Sequence, residues 1–198
     1  MSRIFSLSSI LFFLALTLTP TTVARAQHSY SATPDSRFWV EGTSNKTKNW
    51  RAHPETIAVH LFGDLGAMRV DSASVNVGAG ALQGEVDHGA FVMNRLIKQA
   101  LKAGEHPEIV FRLNGFSASG EDTSAFEVSG RLTLAGVAHD ISFPCIVEMT
   151  GANVFRFTGS YTLAMPDYEI RPPSIRTLGY HVGKSVDIFF DLFLAPSE

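Results

Sequence analysis

The pattern of apolar and polar positions changes its period within residues 93–113, and this change organises the prediction for the whole chain. Apolar residues first recur at spacings of three and four, which is typical of one face of an amphipathic helix. This stripe consists of Met93, Leu96, Ile97, Ala100 and Leu101. We expect the helix to end near Gly104, a residue suited to a left-handed cap, and before Pro107. From Ile109 the apolar residues alternate, so a half-buried strand follows the helix directly.

Alternation of apolar and polar residues recurs along most of the remaining chain and predicts about eight strands. These strands cover residues 37–43, 56–62, 73–77, 109–113, 126–134, 141–149, 154–163 and 186–194. Turn-forming residues separate them. The longest irregular passage, residues 164–184, contains Pro166, Pro172 and Pro173 and is predicted to be an extended loop.

About eight alternating strands fit either a β-sandwich or a closed barrel, and the pattern alone does not separate the two. Gly130 and Gly159 favour closure, because both fall on the inward face of a long strand, where glycine lets a sheet bend sharply. We therefore predict an all-β fold, an antiparallel eight-stranded barrel with one amphipathic helix near an open end.

The N-terminal segment has the pattern of a secretory signal peptide. Arg3 precedes an apolar run at residues 10–18, and Ala24-Arg25-Ala26 provides a small-x-small cleavage signal before Gln27. The run is far shorter than the ~20 residues of a membrane-spanning helix. We expect residues 1–26 to be removed and residues 27–198 to form a single domain, periplasmic or secreted, without stable membrane insertion.

Composition narrows the classes of partner and of chemistry. Without Arg3 and Arg25, fourteen basic residues face nineteen acidic ones, and no basic run indicates nucleic-acid binding. Cys145 is the sole cysteine, so it cannot form an intrachain disulfide, and its apolar strand predicts an inert core thiol. The seven histidines lack the short spacings of metal ligands, and no nucleophile motif occurs. We predict no catalytic residues, no metal site, no required cofactor and no enzymatic activity.

Fifteen phenylalanines, with the aliphatic residues that share their faces, are the strongest candidates for function. The interior of a small eight-stranded barrel is either filled by side chains or just wide enough for one ligand, and the pattern leaves both open. The helix stripe must bury against the barrel, as a permanent plug or as a mobile lid. The residues that we expect to line a ligand site are Phe38, Val40, Val59, Leu61, Met93, Leu96, Ile97, Leu101, Ile109, Phe111, Phe126, Val128, Phe143, Phe155, Phe157, Tyr161 and Phe190.

Four segments in order resemble the YceI-like family of polyisoprenoid-binding, lipocalin-like proteins. They are SRFWVEGTS (36–44), MNRLIKQALKAGEHPEIVF (93–111), GRLTLAGV (130–137) and MPDYEIRPP (165–173), the last followed by Gly179 and Gly183. The first strands, with Asn49-Trp50 after them, are typical of a divergent branch. The resemblance implies an extended lipocalin-like barrel that holds a long isoprenoid chain.

The resemblance implies an exported protein that carries or sequesters a polyisoprenoid or quinone-type lipid in the cell envelope. Each buried CH₂ contributes ~0.8 kcal/mol, so a few isoprene units suffice for tight binding. Two alternatives stay open, a packed-barrel protein of stress response or interaction without lipid, and an enzyme acting on a small substrate. The headgroup, the delivery partner and the choice between monomer and homodimer also stay open.

Overall fold

The computed structural model describes residues 27–46, 50–85 and 90–197. The signal peptide predicted at residues 1–26, with its cleavage near Ala26, lies outside the described residues and stays a prediction. Among the described residues, no helix is long and apolar enough to cross a bilayer.

Twelve strands and one α-helix follow one another in the described part of the chain. The strands are β1 (His28–Ala32), β2 (Arg37–Ser44), β3 (Trp50–Pro54), β4 (Ala58–Asp64), β5 (Arg69–Gly78), β6 (Leu82–Glu85), β7 (Glu108–Ala118), β8 (Ala125–Leu134), β9 (Val137–Gly151), β10 (Val154–Ala164), β11 (Ser174–Ile175) and β12 (Tyr180–Pro196). The helix α1 (Ala90–Ala100) lies between β6 and β7. Short 3-10 turns occupy Leu65–Ala67, Ala79–Ala81, Met165–Tyr168 and Arg176–Leu178.

The long strands form one antiparallel sheet that closes on itself. Its ring runs β1, β4, β5, β7, β8, β9, β10 and β12, and β12 returns to β1 where Ala32 pairs with Leu194. At one end β2, β3 and β6 extend the wall, because β2 pairs with β12, β3 with β2 and β6 with β3. The predicted eight-stranded antiparallel barrel is confirmed, and the alternative of a sandwich is resolved in favour of the barrel.

Interrupted strands explain why the pattern predicts eight strands where more are present. β1 and β2 lie end to end along the same edge of β12, and Ser36 bridges the break between them. Its hydroxyl accepts a hydrogen bond from the Phe193 backbone N–H at 3.0 Å and donates one to the Phe193 carbonyl at 3.1 Å. β1, β3 and β6 have five residues or fewer, so alternation in them is a weak signal.

Alternation along β8 produces the burial that the sequence predicts. Phe126, Val128 and Leu132 are buried, while Glu127 and Arg131 between them are more exposed. Because successive side chains of a strand point to opposite faces, one face of the wall packs inward and the other meets solvent.

Gly130 and Gly159 face the barrel interior as predicted, and the structure shows what their missing side chains allow. A Cβ on Gly130 would lie 2.3 Å from Cζ of Phe111, and one on Gly159 would lie 2.5 Å from Cζ of Phe190. Neither glycine has a positive φ. These glycines therefore make room for aromatic rings that cross the inner surface of the sheet.

The C-terminal end of α1 differs from the prediction. Lys102, with φ of +50°, takes the left-handed conformation, and Gly104 does not. The Lys102 N–H donates to the Gln99 carbonyl at 3.1 Å and the Ala103 N–H donates to the Lys98 carbonyl at 3.0 Å. This is the pair of bonds of a Schellman cap. The prediction of a cap at Gly104 was therefore wrong, because the hydrogen bonds place the left-handed cap two residues earlier, at Lys102.

Residues 164–184 contain more structure than the predicted loop. Met165, Tyr168 and Ile170 are buried in the core, and β12 already begins at Tyr180. The register of β12 against β2 shifts between Val182 and Val186. Because such an irregularity interrupts the alternation, the start of this strand has no clear period.

Candidate functional site

An apolar cavity occupies the interior of the barrel. Its volume is about 260 Å³, whereas about 10–15 Å³ on the same kind of measure holds one water molecule. Its walls come from the inward faces of the strands and from the inner face of α1. None of the described residues that line it carries a charge. The interior is therefore hollow. Of the two alternatives that the sequence pattern leaves open, an interior filled by side chains and an interior with space for a ligand, the structure has the second.

The structure brings most of the predicted lining residues together around this cavity. Those that line it are Phe38, Val40, Val59, Leu61, Met93, Leu96, Ile97, Leu101, Ile109, Phe111, Val128, Phe143, Phe157, Tyr161 and Phe190. The helix stripe and the inward strand faces thus share one space. Their contact with a ligand stays a prediction.

Phe126 and Phe155 do not line the cavity, which corrects their predicted position. Phe126 stacks on Phe116 with ring centroids 4.4 Å apart, and Phe155 meets the Tyr30 ring edge-on at 6.0 Å. Both side chains are almost fully buried in the core. Alternation identifies the inward face of a strand, but it does not show which inward residues pack solidly together.

Further lining residues were not selected from the sequence. Leu132 and Ile188 lie on the same alternating faces as the selected Val128 and Phe190, and Val75 lies in a predicted alternating strand, so the period of two was sufficient to find them. Trp50 and Met165 come from a five-residue strand and a 3-10 turn. Alternation over so few residues does not distinguish a strand from a loop, so the tertiary structure was needed to place these two side chains at the cavity.

One wall of the cavity is a helix that fills a gap in the sheet. β6 pairs with β3 along one edge and meets α1 along the other. The Gly84 N–H donates to Oδ1 of Asn94 at 2.8 Å, so a side chain on the helix replaces a strand partner. A Cβ on Gly84 would lie 2.6 Å from Cγ of Met93. The absence of a side chain at Gly84 therefore lets the helix approach the strand closely.

Few polar side-chain groups face this apolar space. Nε1 of Trp50 donates to the Thr43 carbonyl at 3.3 Å. Burial raises the pKa of the Cys145 thiol to about 12. The Tyr161 hydroxyl forms no hydrogen bond with a described residue, and desolvation, aided by the charge of Asp167, raises its pKa. Tyr161 therefore stays a neutral side chain in the cavity lining, and the surface that the described residues present to the cavity is apolar.

Tyr168 carries a second hydroxyl close to this region. The side chain is 2 % exposed, and its hydroxyl has no hydrogen-bond partner among the described residues. Burial raises the pKa of Tyr168 to about 12, and interactions with Tyr161 and Asp167 act in the same direction. Both tyrosines therefore stay protonated at neutral pH.

Several histidines outside the cavity have structural partners. The His53 ring meets the Glu85 carboxylate at 3.0 Å, and His139 Nε2 lies 2.8 Å from the Asp167 carbonyl oxygen. His106 lies over Gly136, where a Cβ would be 2.5 Å from the ring. Among the described residues, no three His, Cys, Asp or Glu side chains come together as metal ligands would.

Comparison with known proteins gives a family match and several similar folds. The model of a family described as the YceI-like domain matches residues 19–194. No curated protein matches in a sequence search.

Among solved structures, Burkholderia cenocepacia BcnA is 18% identical, with a TM-score of 0.65, over 80% of this chain and 95% of that one. A polyisoprenoid binding domain from Saccharophagus degradans, implicated in plant cell wall breakdown, is 17% identical, with a TM-score of 0.66, over 86% and 99%. The Campylobacter jejuni YceI protein is 16% identical, with a TM-score of 0.59, over 74% and 84%. At these identities the structures share the fold with this chain.

Proposed function

We propose, from the premise that this chain belongs to the YceI-like family, that it binds one long-chain amphiphilic lipid of polyisoprenoid or quinone type inside its barrel. The observation that carries the proposal is the cavity of about 260 Å³ with an uncharged, apolar lining. A flexible hydrocarbon chain fits such a space, and each buried CH₂ contributes ~0.8 kcal/mol. The structurally similar polyisoprenoid binding domain supports the same class of ligand.

We propose that the polar end of the ligand lies against the part of the cavity lining that Tyr161 forms. A quinone carbonyl or a prenyl alcohol oxygen accepts a hydrogen bond, and the unpartnered Tyr161 hydroxyl supplies the donor. Because one neutral hydrogen bond contributes about 1 kcal/mol, we expect Tyr161→Phe to weaken binding of a quinone about fivefold. Binding of a hydrocarbon chain without a polar head should not change.

The predicted signal peptide supports a role in the cell envelope. The pattern of residues 1–26, with Arg3, an apolar run and Ala24-Arg25-Ala26, fits a cleaved signal peptide. We propose that the mature protein carries or sequesters its lipid there. Fractionation with N-terminal sequencing tests this step, and a mature protein that keeps residues 1–26 would contradict it.

Native mass spectrometry of gently purified protein tests lipid binding directly. We expect one bound lipid per chain, and extraction with organic solvent should remove it and lower the melting temperature, because a ligand that binds only the folded state stabilises it. Protein that carries no lipid and is not stabilised by added isoprenoid would count decisively against the proposal.

Leu96→Asp tests whether the helix belongs to the binding site. Leu96 lines the cavity, so a charge there should release the lipid while the β-structure persists. Met149→Asp is the matched control, because Met149 is 68% exposed near the end of β9. Circular dichroism shows whether the variants keep their fold. Equal lipid retention by both variants would show that α1 is not part of the binding site.

A further inference from the structure

The outer face of α1 combines an exposed aromatic residue with basic residues. Phe91 is 81% exposed and its neighbour Val92 is 47% exposed. Arg95 and Lys98 follow Phe91 at i+4 and i+7, so all three lie on one face of the helix. Lys102 follows in the left-handed cap. The outer face of α1 consists of Phe91, Val92, Arg95, Lys98 and Lys102. It lies opposite the stripe of Met93, Leu96 and Ile97 that lines the cavity.

The charge of the outer face is opposite to that of the whole chain. Residues 90–104 contain three basic and no acidic residues, whereas the chain has a formal charge of −3. Arg95, Lys98 and Lys102 form no ion pair with any residue that the structure describes. Of the nearby acids, Glu85 is already paired with His53, and Glu105 and Glu108 follow the end of the helix. Within residues 27–46, 50–85 and 90–197, no acidic side chain therefore neutralises these three basic side chains.

An exposed phenylalanine costs solvation free energy unless a partner covers it. The outer face of an eleven-residue helix is about 16 Å long and about 10 Å wide. That is about 160 Å², whereas a stable protein interface buries about 800 Å² on each side. A lipid surface needs no minimum area, because a few inserted apolar side chains and basic residues act together there.

We propose that the outer face of α1 docks on a bilayer rich in anionic phospholipid. Phe91 and Val92 insert among the headgroups, and Arg95, Lys98 and Lys102 meet lipid phosphates. Docking places the cavity directly behind the helix beside the membrane that supplies a hydrocarbon chain. This inference deepens the proposed function and rests on it.

Vesicle flotation with the mature chain tests the docking. We expect the protein to float with vesicles of phosphatidylethanolamine and phosphatidylglycerol, and to stay behind with phosphatidylcholine alone. High salt should release it, because the attraction between exposed charges is screened. Failure to float with the phosphatidylglycerol vesicles would overturn the proposal.

Two variants and a control locate the contact. Phe91→Asp and the double variant Lys98→Glu with Lys102→Glu should each lower the partition coefficient about tenfold or more. Met149→Asp removes a similarly exposed apolar side chain from β9, away from the outer face, and should bind vesicles as the unchanged protein does. Circular dichroism establishes that the variants fold. Equal losses in the control and in Phe91→Asp would contradict docking through α1.

Two further measurements separate this inference from its alternatives. If native mass spectrometry finds the lipid but vesicles do not retain the protein, the docking proposal is wrong and the proposed function stands. If vesicles retain the protein and no lipid is ever bound, the proposed function alone fails. A dimer in light scattering that Phe91→Asp dissociates would assign the outer face to a second copy and overturn the membrane assignment.

Discussion

Cys145 shows how burial controls chemistry at the scale of one residue. Its side chain is 3 % exposed, and desolvation raises the pKa of the thiol to about 12, although a hydrogen bond with the Thr158 backbone acts in the opposite direction. The thiolate is the nucleophile of cysteine, so a thiol with a raised pKa is unreactive. This agrees with the inert core cysteine that the sequence predicts.

We expect Cys145 to resist thiol reagents in the folded protein. With Ellman's reagent at about pH 8, labelling should be at least about a hundredfold slower than in guanidinium chloride, where the thiol has its ordinary pKa and full access. Rapid stoichiometric labelling of the folded chain would contradict the burial of this side chain.

The same thiol makes stability depend on alkaline pH. The folded pKa lies above the reference value of 9.0, so the unfolded chain loses this proton first as the pH rises. The contribution is therefore complete below about pH 9 and declines as the pH approaches 12. Urea unfolding should show a shallower alkaline decline for Cys145→Ala, and identical slopes would rule out the linkage.

Gly130 is the residue whose substitution is expected to damage the barrel most directly. A Cβ would approach Phe111 Cζ to 2.3 Å and the Arg112 carbonyl oxygen to 2.4 Å. The backbone oxygen cannot move aside easily, so Gly130→Ala should lower the free energy of unfolding by about 1–3 kcal/mol. Chemical denaturation measures this. Gly151→Ala is the control, because no atom lies within 4 Å of its Cβ position, and equal effects in both variants would refute the packing argument.

At the scale of elements, α1 has a tertiary function that its sequence pattern does not reveal. The Asn94 side chain accepts the hydrogen bond of β6 that a strand would otherwise accept. Its stripe lines the cavity while its other face meets solvent. The helix is therefore a section of the barrel wall, joined to β6 by a hydrogen bond from a backbone N–H to a side chain.

The cap of this helix gives a prediction at the same scale. Lys102 has a φ of +50°, a conformation that is unfavourable for a residue with a Cβ. Lys102→Gly should raise the free energy of unfolding by about 1 kcal/mol. Gly104→Ala is the control, since this glycine lacks a positive φ and has open space around it, and should be nearly neutral. Destabilisation by Lys102→Gly would show that the Lys102 side chain outweighs its backbone strain.

At the scale of the whole molecule, one pairing closes the barrel. β1 and β12 join the two ends of the described chain, where Tyr30 pairs with Pro196. Leu194 is 2 % exposed and pairs with Ala32 on one side and Phe155 on the other. Contacts this distant in sequence form only after a large loss of chain entropy.

Removal of residues 192–198 should therefore open the barrel. It leaves edges of β1 and β10 unpaired, and exposed strand edges join to other chains. We expect soluble oligomers or aggregate in size-exclusion chromatography, with loss of lipid. Removal of residue 198 alone is the control and should change neither. A compact truncated chain that keeps its lipid would show that this closure is dispensable.

The sequence by itself determined the element types, the helix stripe and the inward faces of the long strands. A period of two or of 3.6 arises from local backbone geometry and from burial on one side, so it is readable without knowledge of distant residues. Val128 and Phe157 illustrate this, since each lies on the predicted face and lines the cavity. The family resemblance likewise rests on residues in sequence order.

Only the tertiary structure decided that the sheet closes, that its interior is hollow and where the cavity ends. Phe126 and Phe155 point inward but pack against other rings, while Trp50 reaches the cavity from a strand of only five residues. Lys102 replaces Gly104 at the helix cap because hydrogen bonds across the last turn select the position. Each of these outcomes depends on how side-chain volumes and backbone partners from distant segments meet. The local pattern of apolar and polar residues contains no information about those contacts.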